Sequence, residues 1–233
     1  MKSLTVFTGI AMNLEKSRFN MIEQQIRTWN VLNQSVLDLL FLVKREQFMP
    51  TGLEDMAFTD CELPIRVHGK NTGQFTMSPK LEARLVQELQ LAPHEQVLQI
   101  GAGTGYLAAL LAQKCSRITV TEFNPDVAEF ARQNLEKNQI TQVKIIQCCG
   151  FKSAASLGQF DVIVQAGRSE VIPDMLIQQL KPNGRFIGII GQDPVHRATL
   201  IKKSATQVTS TTPLFETTAF ELPNAPKAKA FQF

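Results

Sequence analysis

The stretch QVLQIGAGTGYLAALLAQK, Gln96 to Lys114, joins a short apolar run to three glycines at alternate positions and then to an apolar helical pattern. QVLQI has the length and composition of a buried strand, and the glycines allow a sharp turn into the helix. The same alternation repeats downstream. SRITVTE reads as a second strand, PDVAEFARQNLEKN as a helix with Pro125 suited to its first position, QVKIIQC as a third strand and FDVIVQA as a fourth. IPDMLIQQL then reads as a helix and GRFIGIIG as a fifth strand. Strands and helices in this order require right-handed crossovers, which predicts an α/β fold: a Rossmann-like, doubly wound and mostly parallel sheet. Beyond Gln192, ATLIKKS, TQVTST and ETTAFEL alternate apolar and polar residues and predict antiparallel strands closing the sheet edge.

Upstream, LEARLVQELQL places Leu81, Leu85, Val86 and Leu89 on one helical face. Leu14 to Val43 is also helical in pattern, and a break at Asn30 to Gln34 makes it two helices with Asn33 or Ser35 as the cap. Prolines, glycines and short polar runs make Arg45 to Pro79 a long, mostly irregular segment, and loops of that length are usually functional. The chain therefore divides into an extension over 1–12, a candidate for disorder; N-terminal helices and an active-site loop over 13–79; and a ligand-binding α/β domain over 80–233.

Composition narrows the function classes. Hydrophobic residues make up 44% and charged residues 19% of the 233, which fits a packed domain and excludes a coiled coil or a disordered chain. No apolar run approaches the roughly 20 residues that span a bilayer. The net charge of +3 is weak, with Lys and Arg scattered, so no nucleic-acid footprint stands out. MKSLTVFTGIAM lacks the long apolar region and small-residue cleavage pattern of a signal peptide. Cys61, Cys115, Cys148 and Cys149 have neither metal-site nor secreted-framework spacing, so reduced thiols and a cytoplasmic location are expected. His68, His94 and His196 lie far apart, read as surface residues, and predict no metal site.

The candidate site lies in the Gly-rich turn. Gly101, Gly103 and Gly105 sit at the carboxyl end of the first strand of the repeat, where open α/β sheets bind ligands. Glycines let the backbone approach a ligand, and the helix that follows offers free N–H groups. Glu122, 21 positions after Gly101 at the end of the next strand, is placed to accept both hydroxyls of a ribose. A dinucleotide turn has its third glycine one position later, where Tyr106 stands, so the spacing favours S-adenosylmethionine over NAD. A tight turn beside a surface carboxylate is the bland alternative.

REQFMP, AFTDCELPI, GQFTMSP, VLQIGAGTGYLAALLA, VTE and FDVIV…IPDMLIQQLKPNGRFIGIIG follow one another in an order that resembles protein-L-isoaspartate O-methyltransferases, a branch of the class I S-adenosylmethionine-dependent methyltransferases. The resemblance implies methylation of the free α-carboxyl of isoaspartyl residues in damaged proteins, with isoaspartyl peptides or proteins as partners and protein repair as the purpose. It also implies cofactor contacts at Gln99, Gly101, Gly103, Gly105, Tyr106, Glu122 and Cys149. Gln99 stands where class I enzymes usually place an acid, and Cys149 where an acid commonly meets the adenine amino group.

The resemblance puts Gln74, Thr76 and Ser78 in the catalytic loop. The family loop runs Gly-Gln-Thr-Ile-Ser-x-Pro, and an ungapped match of Gly73, Gln74 and Pro79 sets Phe75 and Met77 at its hydroxyl positions. Thr76 and Ser78 then fall on the opposite face of an extended segment, whereas a one-residue slip would restore them. A different methyl acceptor, or a binding role with little turnover, are the competing functions. Asp60, Glu62 and Arg168 are further candidates near the acceptor.

Overall fold

The computed structural model describes residues 13–205 and 209–228; the 1–12 extension lies outside them. Nine strands and seven helices are labelled here in chain order. The five repeat strands are β3 (Gln96–Ile100), β4 (Arg117–Glu122), β5 (Val143–Gln147), β6 (Phe160–Ser169) and β7 (Leu180–Gln192). They are all parallel, and the antiparallel β8 (Val195–Lys203) and β9 (Thr209–Thr217) complete a seven-stranded sheet of order β5-β4-β3-β6-β7-β8-β9. The chain winds from β3 outward through β4 and β5, then returns to build from β6 the other way. The order therefore reverses between β3 and β6, where the carboxyl ends leave a crevice.

Side-chain alternation explains why both faces are covered. Val97 faces one apolar cluster with Val120 and Val162, while Leu98 and Ile163 face the other. Against the first face pack α3 (Pro79–Leu89) and α4 (Tyr106–Ala112), every residue of α4 being buried. Helix α5 (Pro125–Lys137) starts at Asn124, whose side chain accepts hydrogen bonds from the N–H groups of Asp126 and Val127, with Pro125 at its first turn. The second face takes the single-turn helices α6 (Gly150–Ser153) and α7 (Asp174–Ile177). IPDMLIQQL is thus helical over four residues only, because β7 begins at Leu180 and leaves no room for a longer helix.

The N-terminal pattern divides as expected. Helical residues 13–20 (α1) run into a π-helical turn, Met21–Ile26, and a 3₁₀ turn, Arg27–Trp29. Asn30 has a left-handed backbone (φ 61°), and Asn33 caps α2 (Gln34–Leu42) by accepting from Ser35 N–H. Between Arg45 and Pro79 the expectation of irregular chain needs correcting. The segment holds a hairpin, β1 (Pro64–Val67) with β2 (Lys70–Phe75), closed by His68-Gly69 at φ 49° and 76°. Two successive positive-φ residues make the tight turn that matches strand twist, and glycine at the second accepts it without strain. His196 also departs from expectation, being 5% exposed instead of a surface residue.

Arg45 locks this N-terminal layer to the main domain. Its guanidinium is 2% exposed and donates to Glu82 Oε2 (3.0 Å), to the Ala57 carbonyl (2.7 Å) and to the Met77 carbonyl (2.7 Å). A buried charge requires such partners, and losing one would leave the others desolvated and unpaired. Burial pushes the Glu82 carboxyl up to about 7, against the pull of Arg45. Between the ordinary carboxylate range and about 7 the folded chain keeps a proton that the unfolded chain has lost, so stability falls as pH rises through that window. Unfolding free energies from urea titrations between pH 4.5 and 7.5 should fall by a few kcal/mol at most in the wild type, with the slope removed in Glu82→Gln. Parallel profiles for the two proteins would refute the assignment.

Candidate active site

Glycines shape the crevice. Gly101, at φ 87°, follows β3, and a Cβ there would come 2.9 Å from Leu222 Cδ2. Gly105, at φ 86°, is the N-cap of α4, and a Cβ would approach the Ala131 carbonyl to 3.1 Å. Left-handed backbone and close neighbours together require glycine at both.

Glu122 ends β4 beside this turn and is 2% exposed. Its Oε2 accepts from Ala102 N–H at 2.9 Å, which ties it to the Gly-rich turn. Its Oε1 accepts from Asn124 N–H at 2.8 Å and from Gln74 Nε2 at 2.9 Å. Gln74 is the inward residue at the end of β2, 3% exposed, so the loop before Pro79 reaches the carboxylate directly. Gln99, fully buried one residue before the end of β3, donates from Nε2 to the Gly101 carbonyl at 2.8 Å. Its Oε1 is buried without a hydrogen-bond partner among the described residues. A buried amide oxygen without a partner calls for a donor such as an ammonium group.

Two narrow cavities of about 20 Å³ each flank the turn. One is lined by Gly101, Glu122, Phe123 and Cys149, with Leu222 and Pro223 closing it. The other lies between Gly103, Gln99 and Ala102 on one side and Phe75, Thr76 and Met77 on the other. Cys149 and Gln99 are thus on either side of the glycine turn. Tyr106 borders the second cavity, but its ring packs on Phe48 (centroids 5.5 Å apart) and its hydroxyl is buried without a partner among the described residues. Burial raises its phenol pKa strongly. Its contacts serve the joint with the N-terminal layer.

In the loop, Met77 is buried and Phe75 is 38% exposed, and both border the second cavity. Thr76 exchanges main-chain and side-chain bonds with Leu63: Thr76 N–H donates to the Leu63 carbonyl at 2.8 Å, and Leu63 N–H donates to Thr76 Oγ1 at 3.1 Å. Ser78 is the N-cap of α3 and makes no side-chain cap bond. It lines a separate cleft of about 390 Å³ with Trp29, Asp60, Glu62, Lys80 and His196. In that cleft Lys80 Nζ pairs with Asp60 at 2.7 Å and lies 3.9 Å from the Trp29 ring centre. Glu62 accepts from Phe220 N–H at 3.0 Å, and burial raises its carboxyl pKa. Arg168 pairs with Glu221 at 3.2 Å, so its charge is spent on the chain itself.

The segment after β9 corrects the expectation of a further edge strand. TQVTST and ETTAFEL, read as two strands, give one strand ending at Thr217. The chain then crosses the ends of β3 and β6: Arg168 N–H donates to the Phe220 carbonyl (2.8 Å) and Leu222 N–H to the Arg168 carbonyl (3.1 Å). Leu222 fills the space over Gly101 and Gly167. Phe220 and Leu222 belong to ETTAFEL, whose alternation of apolar and polar residues reads as an edge strand.

Comparison with known proteins agrees with this architecture. The family model described as protein-L-isoaspartate(D-aspartate) O-methyltransferase matches residues 16–220. A protein-L-isoaspartate O-methyltransferase of Methanoculleus marisnigri is 34% identical over 176 residues, covering 76% of this chain and 78% of that protein. One from Aeropyrum pernix is 34% identical over 193 residues, covering 81% and 72%. A solved protein-L-isoaspartate O-methyltransferase superposes with a TM-score of 0.74 at 22% identity, over 89% of this chain and 66% of that one. A beta-aspartate methyltransferase from Plasmodium falciparum, solved with S-adenosyl-L-homocysteine, gives 0.70 at 20% identity over 88% and 97%. Those two structures share the fold, and the sequence matches carry the relationship: the chain belongs to the protein-L-isoaspartate(D-aspartate) O-methyltransferase family.

Proposed function

We propose that this protein uses S-adenosylmethionine to methylate the free α-carboxyl of isoaspartyl residues in peptides and proteins. The observation that carries this reading is the buried Glu122 carboxylate joined to the glycine turn through Ala102, with the partnerless Gln99 Oε1 across the same turn. On this reading Glu122 holds the ribose, Gln99 takes the amino group and Cys149 lies beside the adenine. Gln99 does so as a neutral amide, by hydrogen bonding alone. The bound cofactor supplies a methyl group on a sulfonium cation.

The chain's own task is alignment. An acceptor carboxylate is ionised at neutral pH, its reference pKa being roughly 3.3 to 4, so no general base is needed. Holding the carboxylate in line with the methyl group, away from bulk water, is what a fixed loop contributes. Gln74, Thr76 and Ser78 are the polar groups of that loop. Thr76 keeps its hydroxyl proton available, since it accepts from Leu63. The 390 Å³ cleft beyond Ser78 is wide enough for the acceptor chain. The four free cysteines fit a reducing, cytoplasmic setting.

A second reading rests on Phe75 and Met77. Both border the cavity beside Gly103, an apolar wall that suits an acceptor other than an isoaspartyl peptide.

Labelled methyl transfer separates the two. With cofactor binding established by calorimetry, an isoaspartyl peptide should be labelled and its aspartyl twin should not; an unlabelled isoaspartyl peptide favours the second reading. The cofactor assignment has its own check, because Glu122→Ala should weaken calorimetric affinity by about 1–3 kcal/mol. Unchanged affinity in the folded variant would remove Glu122 from the site.

A further inference from the structure

An ionised carboxylate offers about four lone-pair positions to donors. At Glu122 three are already taken, by Ala102 N–H on Oε2 and by Asn124 N–H and Gln74 Nε2 on Oε1. One position is left, whereas a ribose presents two hydroxyls. One of the three present donors must therefore withdraw when both hydroxyls bind.

The donors differ in how easily they can do so. Ala102 N–H lies in the turn fixed by Gly101 and Gly103, both at positive φ. Asn124 is the N-cap of α5, held by two bonds to its own side chain and followed by Pro125. Removing either would unmake a turn at the base of the sheet. Gln74 is a side chain on a two-stranded hairpin, able to swing by rotamer change.

We infer that Gln74 is a cofactor-sensitive latch: it occupies Glu122 Oε1 in the ligand-free protein and is displaced by the ribose, passing cofactor occupancy to the loop Phe75–Ser78. This rests on the proposed use of S-adenosylmethionine. Gln74 is then a positioning residue for the transfer reaction. Its amide is buried, and a buried amide that loses its partner must find another, so the rotamer change rearranges the contacts of the segment carrying it. Phe75 and Met77, the next residues along, border the cavity of about 20 Å³ that has to widen for the acceptor. Cofactor and acceptor binding are thereby coupled, and the coupling is reciprocal.

The latch makes a prediction opposite in sign to that of a simple strut. Gln74→Met keeps the side-chain length and removes the donor, so the ribose no longer competes for Oε1. Calorimetry with S-adenosylhomocysteine should show affinity increased by about threefold to tenfold, the range of one modest hydrogen bond. A strut that merely holds Glu122 in place would instead give weaker binding, and weaker or unchanged affinity overturns the latch.

The wild-type protein supplies a second measurement that does not depend on a variant folding. Hydrogen exchange with and without S-adenosylhomocysteine should show slowed exchange at Gly101–Gly105 together with altered exchange at Gln74–Met77. Slowed exchange in the turn with an unchanged loop overturns the latch and leaves the cofactor reading standing. No change in the turn, with no heat of binding, overturns both.

Discussion

A carboxylate buried at the end of a central strand is the constraint around which the rest of this site is arranged. At 2% exposure the Glu122 side chain needs hydrogen-bond donors, and the chain supplies three from three different elements. Ala102 brings the glycine turn after β3, Asn124 brings the start of α5, and Gln74 brings the hairpin. The demand for donors thus gathers the β3 turn, the β4 end and the loop before α3 around one point. The crevice where the strand order reverses gains its polar floor in this way.

The opposite wall depends on Arg45. Its three acceptors lie on the turn before β1, in the loop before Pro79 and on α3. The Met77 carbonyl held by Arg45 and the Gln74 amide held by Glu122 are three residues apart. The loop is consequently pinned at both ends by buried charges of opposite sign, while Phe75 between them is partly exposed. Thr76, also between them, is tied to Leu63 by two hydrogen bonds, so Phe75 is the point where the segment has room to respond locally without loosening the fold.

The parallel sheet was readable because its signals are local and repeated. Each strand is a short apolar run bounded by turn residues, and Pro125 and the glycines mark helix starts directly. The hairpin at His68-Gly69 was hidden by a polar β2: KNTGQF has one buried position, Gln74, and so no apolar alternation to count. The strap after β9 was hidden for the opposite reason. Phe220 and Leu222 do alternate as in a strand, but Leu222 is buried over Gly101 and Gly167 at the sheet's end, a destination that local periodicity does not encode. For the site, residue types at fixed spacing pointed to Gly101, Gly105 and Glu122. The Gln74–Glu122 bond spans 48 residues, and only tertiary structure reveals it.

An apolar border made by Phe75 and Met77 is compatible with the chemistry proposed for the site. A reaction that needed a proton moved would lose a step with its hydroxyls, whereas carboxylate methylation needs only an ionised nucleophile held in place. An apolar wall also lowers the local dielectric, which strengthens the attraction between a carboxylate and a sulfonium cation. The same wall costs desolvation of the entering carboxylate, and without its own donors the loop must offset that cost through a few fixed polar contacts. Thr76 and Ser78 are the hydroxyls that remain, one fastened to Leu63 and the other facing the wide cleft. Discrimination between acceptors therefore falls to the shape of the Phe75–Ser78 segment, the part of the site that Gln74 and Arg45 hold from its two ends.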